Sequence, residues 1–263
     1  PATNANIGSA AGLDSPESVL SLLRAMRTAG YVMEEIPESS KAFMKLLTDH
    51  ATNDRRFMTT EQAKSADGQL TAAQYGAFFT ELPEQVRTQL ARDWGDAPGD
   101  VFNYDGTLLI PGTLNGNLFI TVQPPRGFGE DPGKLLHSPD AAPTHHYIGY
   151  YHWLRDIWQA DAVIHVGTHG SLEWLPGKST ALSNRCWPDV SLGDLPDIYP
   201  YWITIVGEGI QAKRRGAACL ISHLSPPMEL AGEFEEIEEL EQALDEYVHF
   251  RAAQPDNIEA AQE

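Results

Sequence analysis

The feature that most constrains the fold is a run of five residues, Ala162-Val163-Ile164-His165-Val166, followed at once by Gly-Thr-His-Gly. It is too short for a stable helix and too apolar for a strand with one wet face, so it reads as a buried strand. Similar short runs occur at Leu118 to Val122, Tyr201 to Val206 and Ala217 to Ser222. Helical patterns lie between and before them. Asp14 or Ser15 can cap a first helix with Pro16 in its first turn, Val19, Leu22, Leu23 and Met26 on one face, and Gly30 as its stop. Lys41 to Leu47 has helical spacing, two further helices flank Leu82-Pro83, and His145 to Trp158 has helical length with an aromatic face. Strands alternating with helices imply an α/β fold, a largely parallel sheet flanked by helices.

Tyr31 to Ile36 resembles a strand following the first helix, so residues 1–50 read as a partial βα unit whose first strand would precede the chain. The opening at Pro1 agrees with a chain truncated from a larger multidomain subunit. Residues 51–263 form the second segment. It begins with a polar, flexible connection over 51–70 and contains the turn-rich QPPRGFGEDPG. It ends in a helix candidate with nine acidic and no basic residues between Glu229 and Glu246, whose bland role is a solvated face and whose alternative is docking of a basic partner.

Charge limits the function. The 263 residues hold 37 Asp plus Glu against 18 Lys plus Arg, a net charge of −19. Such a surface repels phosphate backbones, which argues against nucleic acid and anionic membranes and favours soluble partners, basic surfaces or cations. No apolar run reaches the roughly 20 residues of a membrane span, and no signal segment opens the chain. The two cysteines, Cys186 and Cys219, fit a reducing cytoplasm better than a disulfide framework.

Chemistry concentrates in DAVIHVGTHGSLEWLPGKST, residues 161–180. His165, His169 and Glu173 recur every four residues, but the glycines and Thr168 rule out one helix. Strand, glycine loop carrying His169, and a short helical turn carrying Glu173 is the better reading. Loops at the carboxyl ends of parallel strands are where ligands bind. Imidazole with carboxylate suits a divalent metal such as cobalt, zinc or nickel, and equally suits proton transfer. His145 and His146 could complete the site, or form a pair facing water. Gly177-Lys178-Ser179 imitates the end of a phosphate-binding loop, but Leu172 occupies the position where that loop needs glycine. Lys213, Arg214 and Arg215 are the one dense basic cluster, either a solvated helix end or a carboxylate-recognition patch.

HVGTHGSLEWLPGK, CWPD, GDLPDIYPY, GEGIQAKRR and HLSPPM, in that order, resemble the CobN and magnesium-chelatase large-subunit family. GLDSPESVLSLLRAMRTAGY, GNLFITVQPPRG and PTHHYIGYYHWL match as well. Trp174 and the GEGIQAKRR form look more like the cobaltochelatase branch, although Thr204-Ile205-Val206 stands where an Asn-Pro turn is expected. The resemblance implies an ATP-dependent metal chelatase, a ligase forming metal–nitrogen bonds, with Co2+ as substrate metal, or Mg2+ in the alternative branch. It implies a tetrapyrrole substrate, and AAA+ motor subunits that hydrolyse ATP in place of this chain. His165, His169 and Glu173 become the catalytic candidates, and His145, His146, His165, His169 and Glu173 the candidates to hold the metal. Lys178, Arg214 and Arg215 would bind the ring's carboxylates, and Trp153, Trp174 and Tyr199 would flank the macrocycle. A related subunit that only carries a tetrapyrrole is the remaining alternative.

Overall fold

A computed structural model describes residues 13–50, 66–127, 138–167, 170–202 and 206–223. All of these belong to one unit, Pro1–Leu224. The acidic helix candidate of residues 229–246 therefore lies outside the described residues, as do His169 and most of the 51–70 connection.

Helices α1 (Ser15–Thr28) and α2 (Ser40–His50) open the described chain. Asp14 caps α1 by accepting from the Glu17 amide at 3.0 Å, a contact that contributes roughly 1 kcal/mol. Leu20 and Leu23 carry its buried face, so Leu20 rather than Leu22 enters the core. Together with Phe43, Leu47, Ile36 and Val122 they form a small separate core. The expected strand at Tyr31–Ile36 is absent. That segment instead runs beside the hairpin of β4 (Thr113–Asn115) and β5 (Leu118–Ile120) and hooks onto it through asparagines. The Val32 amide donates to Asn117 Oδ1 at 3.2 Å and the Glu34 amide to Asn115 Oδ1 at 2.6 Å. Asparagine side chains thus take bonds a strand ladder would need, beside one backbone bond from the Asn117 amide to the Val32 carbonyl at 2.8 Å. Gly116, at φ 61°, is required there, because a Cβ would stand 2.3 Å from the Val32 carbonyl oxygen.

The main core gathers around α5 (His145–His152). Strands β1 (Gly68–Thr71), β2 (Asn103–Tyr104) and β3 (Thr107–Ile110) make an antiparallel sheet in the order β1-β3-β2. Helices α3 (Ala72–Glu81) and α4 (Glu84–Trp94) flank Leu82-Pro83 as expected, and Thr71 and Gln74 form a capping box for α3. Strand β1 was hidden in the polar 51–70 stretch. All eight residues of α5 are buried, and its end widens into a π-helical turn, Trp153–Ile157, closed by the Trp158 amide on the Trp153 carbonyl.

The parallel sheet lies in the last third of the described chain: β6 (Val163–Ile164), β7 (Asp197–Trp202) and β8 (Cys219–His223), in that order. Between β6 and β7 run a single 3-10 turn, Leu172–Trp174, and the short helix α6 (Trp187–Leu192). Helix α7 (Val206–Arg215) connects β7 to β8 and packs on the 3-10 turn. The fold is therefore mixed α/β with a partly parallel sheet, and the site segment lies in the parallel part. β7 begins four residues before the expected Tyr201, because Pro200 reads as a strand breaker in sequence. β7 is the middle strand, but β6 pairs with it only as far as Ile198, so among the described residues Pro200 faces no partner on that side. Val206 belongs to α7.

Candidate functional site

Strand periodicity assembles the centre of the site. Val163 pairs with Asp197, so two residues further His165 stands level with Tyr199, and the side chains of Asp197 and Tyr199 share one face. His165 Nδ1 donates to Asp197 Oδ1 at 2.8 Å, and the Tyr199 ring meets the imidazole edge-on at 6.2 Å. The His165 backbone amide, one step past β6, donates to the Ile198 carbonyl at 2.9 Å. Burial pulls the His165 pKa down, but the hydrogen bond and charge of Asp197, helped by the charge of Glu173, outweigh it. The net result is a pKa raised above the ordinary histidine value.

Helix α5 supplies the opposite wall. Tyr147 and Tyr151 are four residues apart and so lie on one helix face. The Tyr151 hydroxyl is 3.3 Å from His165 Nε2, and the Tyr147 hydroxyl is 2.9 Å from Ser171 Oγ. Gln123 ties both sides together. Its amide nitrogen donates to Tyr151 Oη at 2.7 Å, and its carbonyl oxygen accepts from the Ser171 amide at 2.8 Å. Burial pushes both phenols far above their usual pKa, so they act as neutral donors. A polar chain thus runs Gln123–Tyr151–His165–Asp197.

Glu173 sits at the edge of this chain, only 4% exposed. Its Oε1 accepts from the Gly170 amide at 2.9 Å, which folds the turn back on itself. A Cβ on Gly170 would lie 3.0 Å from Gln123 Oε1 and 3.2 Å from Glu173 Oε2, so a side chain there would press on both groups. The structure therefore brings His165 and Glu173 into electrostatic reach of one another. Trp174, next to Glu173, is 43% exposed.

The other expected residues are placed differently. His145 and His146 do not face water; both are buried at the start of α5. His145 Nε2 donates to the Gly95 carbonyl at 3.0 Å, which leaves Nδ1 to accept from the Tyr75 hydroxyl at 2.7 Å. His146 Nε2 donates to the Leu109 carbonyl at 2.7 Å. Burial lowers the pKa of both, that of His146 to about 4. Both thus donate to backbone carbonyls, and burial favours their neutral forms. Among the described residues, no group of three or more His, Cys, Asp or Glu side chains is arranged to hold a metal ion.

Trp153 is buried against Phe119 and Trp158, and Tyr199 backs His165, so neither presents a free ring face as it stands. Lys178 and Arg214 are exposed. Arg215 turns inward and donates to the carbonyls of Leu175, Gly177 and Lys178. Sequence reasoning missed Asp197, Tyr147, Tyr151, Gln123 and Arg126. The tyrosines had a visible signal in their four-residue spacing. Asp197 had none, because its pairing with His165 depends on the register of β6 against β7.

The CobN/Magnesium Chelatase family model matches residues 1–263. The chain is 40% identical over 247 residues to the aerobic cobaltochelatase subunit CobN of Pseudomonas aeruginosa, covering 94% of this chain and 20% of that protein. It is 36% identical over 248 residues to the chloroplastic magnesium-chelatase subunit ChlH of Oryza sativa, covering 94% and 17%. A solved catalytic subunit of cobaltochelatase from Mycobacterium tuberculosis superposes with a TM-score of 0.75 at 39% identity, over 96% of this chain and 22% of that one. The chain thus spans about a fifth of the length of these relatives. It belongs to the CobN/magnesium chelatase family.

Proposed function

We propose that this chain is the tetrapyrrole-binding, metal-inserting segment of an ATP-dependent cobaltochelatase subunit, inserting Co2+ into a corrin precursor such as hydrogenobyrinic acid a,c-diamide. The observation that carries the reading is the buried polar chain Gln123–Tyr151–His165–Asp197 with the Glu173 carboxylate beside it. Metal insertion must strip water from the cation and remove two protons from ring nitrogens. Asp197 stabilises a protonated His165, so His165 can keep a proton it receives. The contact from Tyr151 to His165 Nε2, at 3.3 Å, is the longest in the chain and is the one a donor ring N–H can replace. Glu173 supplies the negative charge that meets the cation or takes the second proton. His169, which stands between Gly167 and Gly170 in the sequence, is assigned the same role.

Trp174 exposes its indole for stacking on the macrocycle, and Lys178 and Arg214 stand free to meet the ring's carboxylates at the rim. ATP hydrolysis belongs to partner AAA+ subunits. The identity of 40% to CobN against 36% to ChlH favours cobalt over magnesium. The test is turnover by the full-length subunit with its partner subunits, followed by absorbance, with Co2+ and the corrin precursor against Mg2+ and protoporphyrin IX. Cobalt insertion is expected. Magnesium insertion alone would move the chain to the other branch, and ring binding without insertion of either metal would make it a carrier.

A further inference from the structure

The segment after Glu173 has almost no regular secondary structure, yet its backbone is held at every step. Five consecutive carbonyls, from Trp174 to Lys178, accept hydrogen bonds from outside the loop. Arg126 Nη1 donates to the Trp174 carbonyl at 2.9 Å. The Trp187 amide donates to Pro176 at 3.0 Å. Arg215 takes Leu175, Gly177 and Lys178. The two arginines come from different directions: Arg126 from the coil after β5, Arg215 from the last turn of α7.

Both guanidiniums are unusual in what they lack. Arg126 is 3% exposed, and its second fork reaches the Ser138 carbonyl. Among the described residues neither arginine has a carboxylate partner within ion-pair distance. A buried charge without a counter-charge costs free energy, and an ordinary loop is fixed more cheaply by neutral donors. What a guanidinium provides is a rigid planar fork that holds several carbonyls in one geometry. The loop so fixed carries the buried Glu173 carboxylate and the exposed Trp174 indole. Gly177 closes its far side, at φ 142°, where a Cβ would lie 2.8 Å from that of Cys186.

We propose that Arg126 and Arg215 are positioning residues, a two-sided clamp on residues 174–178 that fixes the Glu173 carboxylate and the Trp174 indole relative to a bound tetrapyrrole. The proposal rests on the chelatase reading above for its catalytic consequence, but not for the clamp itself. It replaces ring-carboxylate binding as the role of Arg215. Neither arginine touches substrate.

The test uses the full-length subunit with its partner subunits, in the variants Arg126→Gln, Arg126→Lys, Arg215→Gln and Arg215→Lys. Hydrogen exchange of peptides covering residues 172–178 is read first, with α5 peptides as the folding control. Exchange in the loop should rise at least about tenfold in each Gln variant while α5 stays protected. With Co2+ and the corrin precursor, kcat should fall about tenfold or more while ring Kd, from tryptophan quenching, stays within about threefold. The Lys variants should recover little, because one ammonium cannot fork across several carbonyls. Unchanged loop exchange would overturn the clamp. So would full recovery by Lys, which would make charge the whole effect. So would a tenfold weaker ring Kd with kcat intact, which would make the arginines direct ring contacts. If buried Arg126→Gln unfolds the subunit, the partly exposed Arg215 variants decide alone. If the wild type inserts no metal, the chelatase reading fails while loop exchange still decides the clamp.

Discussion

Two histidine sites, the pair His145 and His146 on one side and His165 on the other, illustrate how a partner sets the state of a buried imidazole. His145 and His146, at the start of α5, donate to the carbonyls of Gly95 and Leu109, and burial lowers both pKa values. His165, one step past β6, donates to the Asp197 carboxylate, and its pKa is raised. A carbonyl offers only a dipole, too little to hold a cation away from water. A carboxylate offers a full charge. The first pair is therefore neutral scaffold, and the second site can store a proton.

The sharpest way to break this comparison is Glu173→Gln, which removes the second negative charge beside His165. Metal insertion by the full-length subunit should fall by about a thousandfold while ring Kd changes less than about threefold. Wild-type turnover would remove Glu173 from the chemistry. The scaffold side is tested by pH. The folded pKa of His146, about 4, lies below its ordinary 6.5, so the unfolded chain binds more protons between these values. Stability is then full above about pH 6.5 and declines as pH falls towards 4, by up to about 3 kcal/mol. Urea midpoints from pH 7 to 4 should show that slope in the wild type, and His146→Phe should flatten it even if less stable throughout.

Smaller effects sharpen the picture. Tyr151→Phe removes the hydroxyl facing His165 Nε2 and takes from the Gln123 amide its 2.7 Å acceptor, leaving the 3.4 Å contact to Tyr147 Oη. We expect about a tenfold loss in kcat, with the ring still bound. A rate equal to wild type would show that His165 needs no tyrosine partner. The smallest effect belongs to Arg214→Ala. As an exposed charge it should weaken ring binding by about twofold at low salt and not at all at high salt. A tenfold loss would place Arg214 inside the ring site and reopen the assignment of the basic cluster.

Much of this was legible in the residues. The cap of α1, the break at Leu82-Pro83 and the strand–glycine–turn order around His165 all follow from local rules. What was not legible depends on contacts distant in sequence. The Tyr31–Ile36 segment has strand composition but lies against asparagine side chains more than 80 residues away. Strand β1 is polar on alternate positions and short, so it reads as loop until β3 pairs with it. Arg215 looked like a free cation because sequence shows its charge and not the three carbonyls it meets. His145 and His146 could be read as a pair facing water for the same reason: residue type was visible, and burial against the Gly95 and Leu109 carbonyls was not.

One consequence of α5 concerns how such a molecule can change over generations. A helix with every residue buried offers no silent position, since each exchange must be matched by a second one in β3, α3 or the Gln123 coil. Under the proposed function, variation that retunes a family member for another ring or cation is then channelled to exposed positions such as Trp174, Lys178 and Arg214. The wall that holds the tyrosines should drift slowly, and the residue beside Glu173 should be among the first to differ between relatives handling different macrocycles.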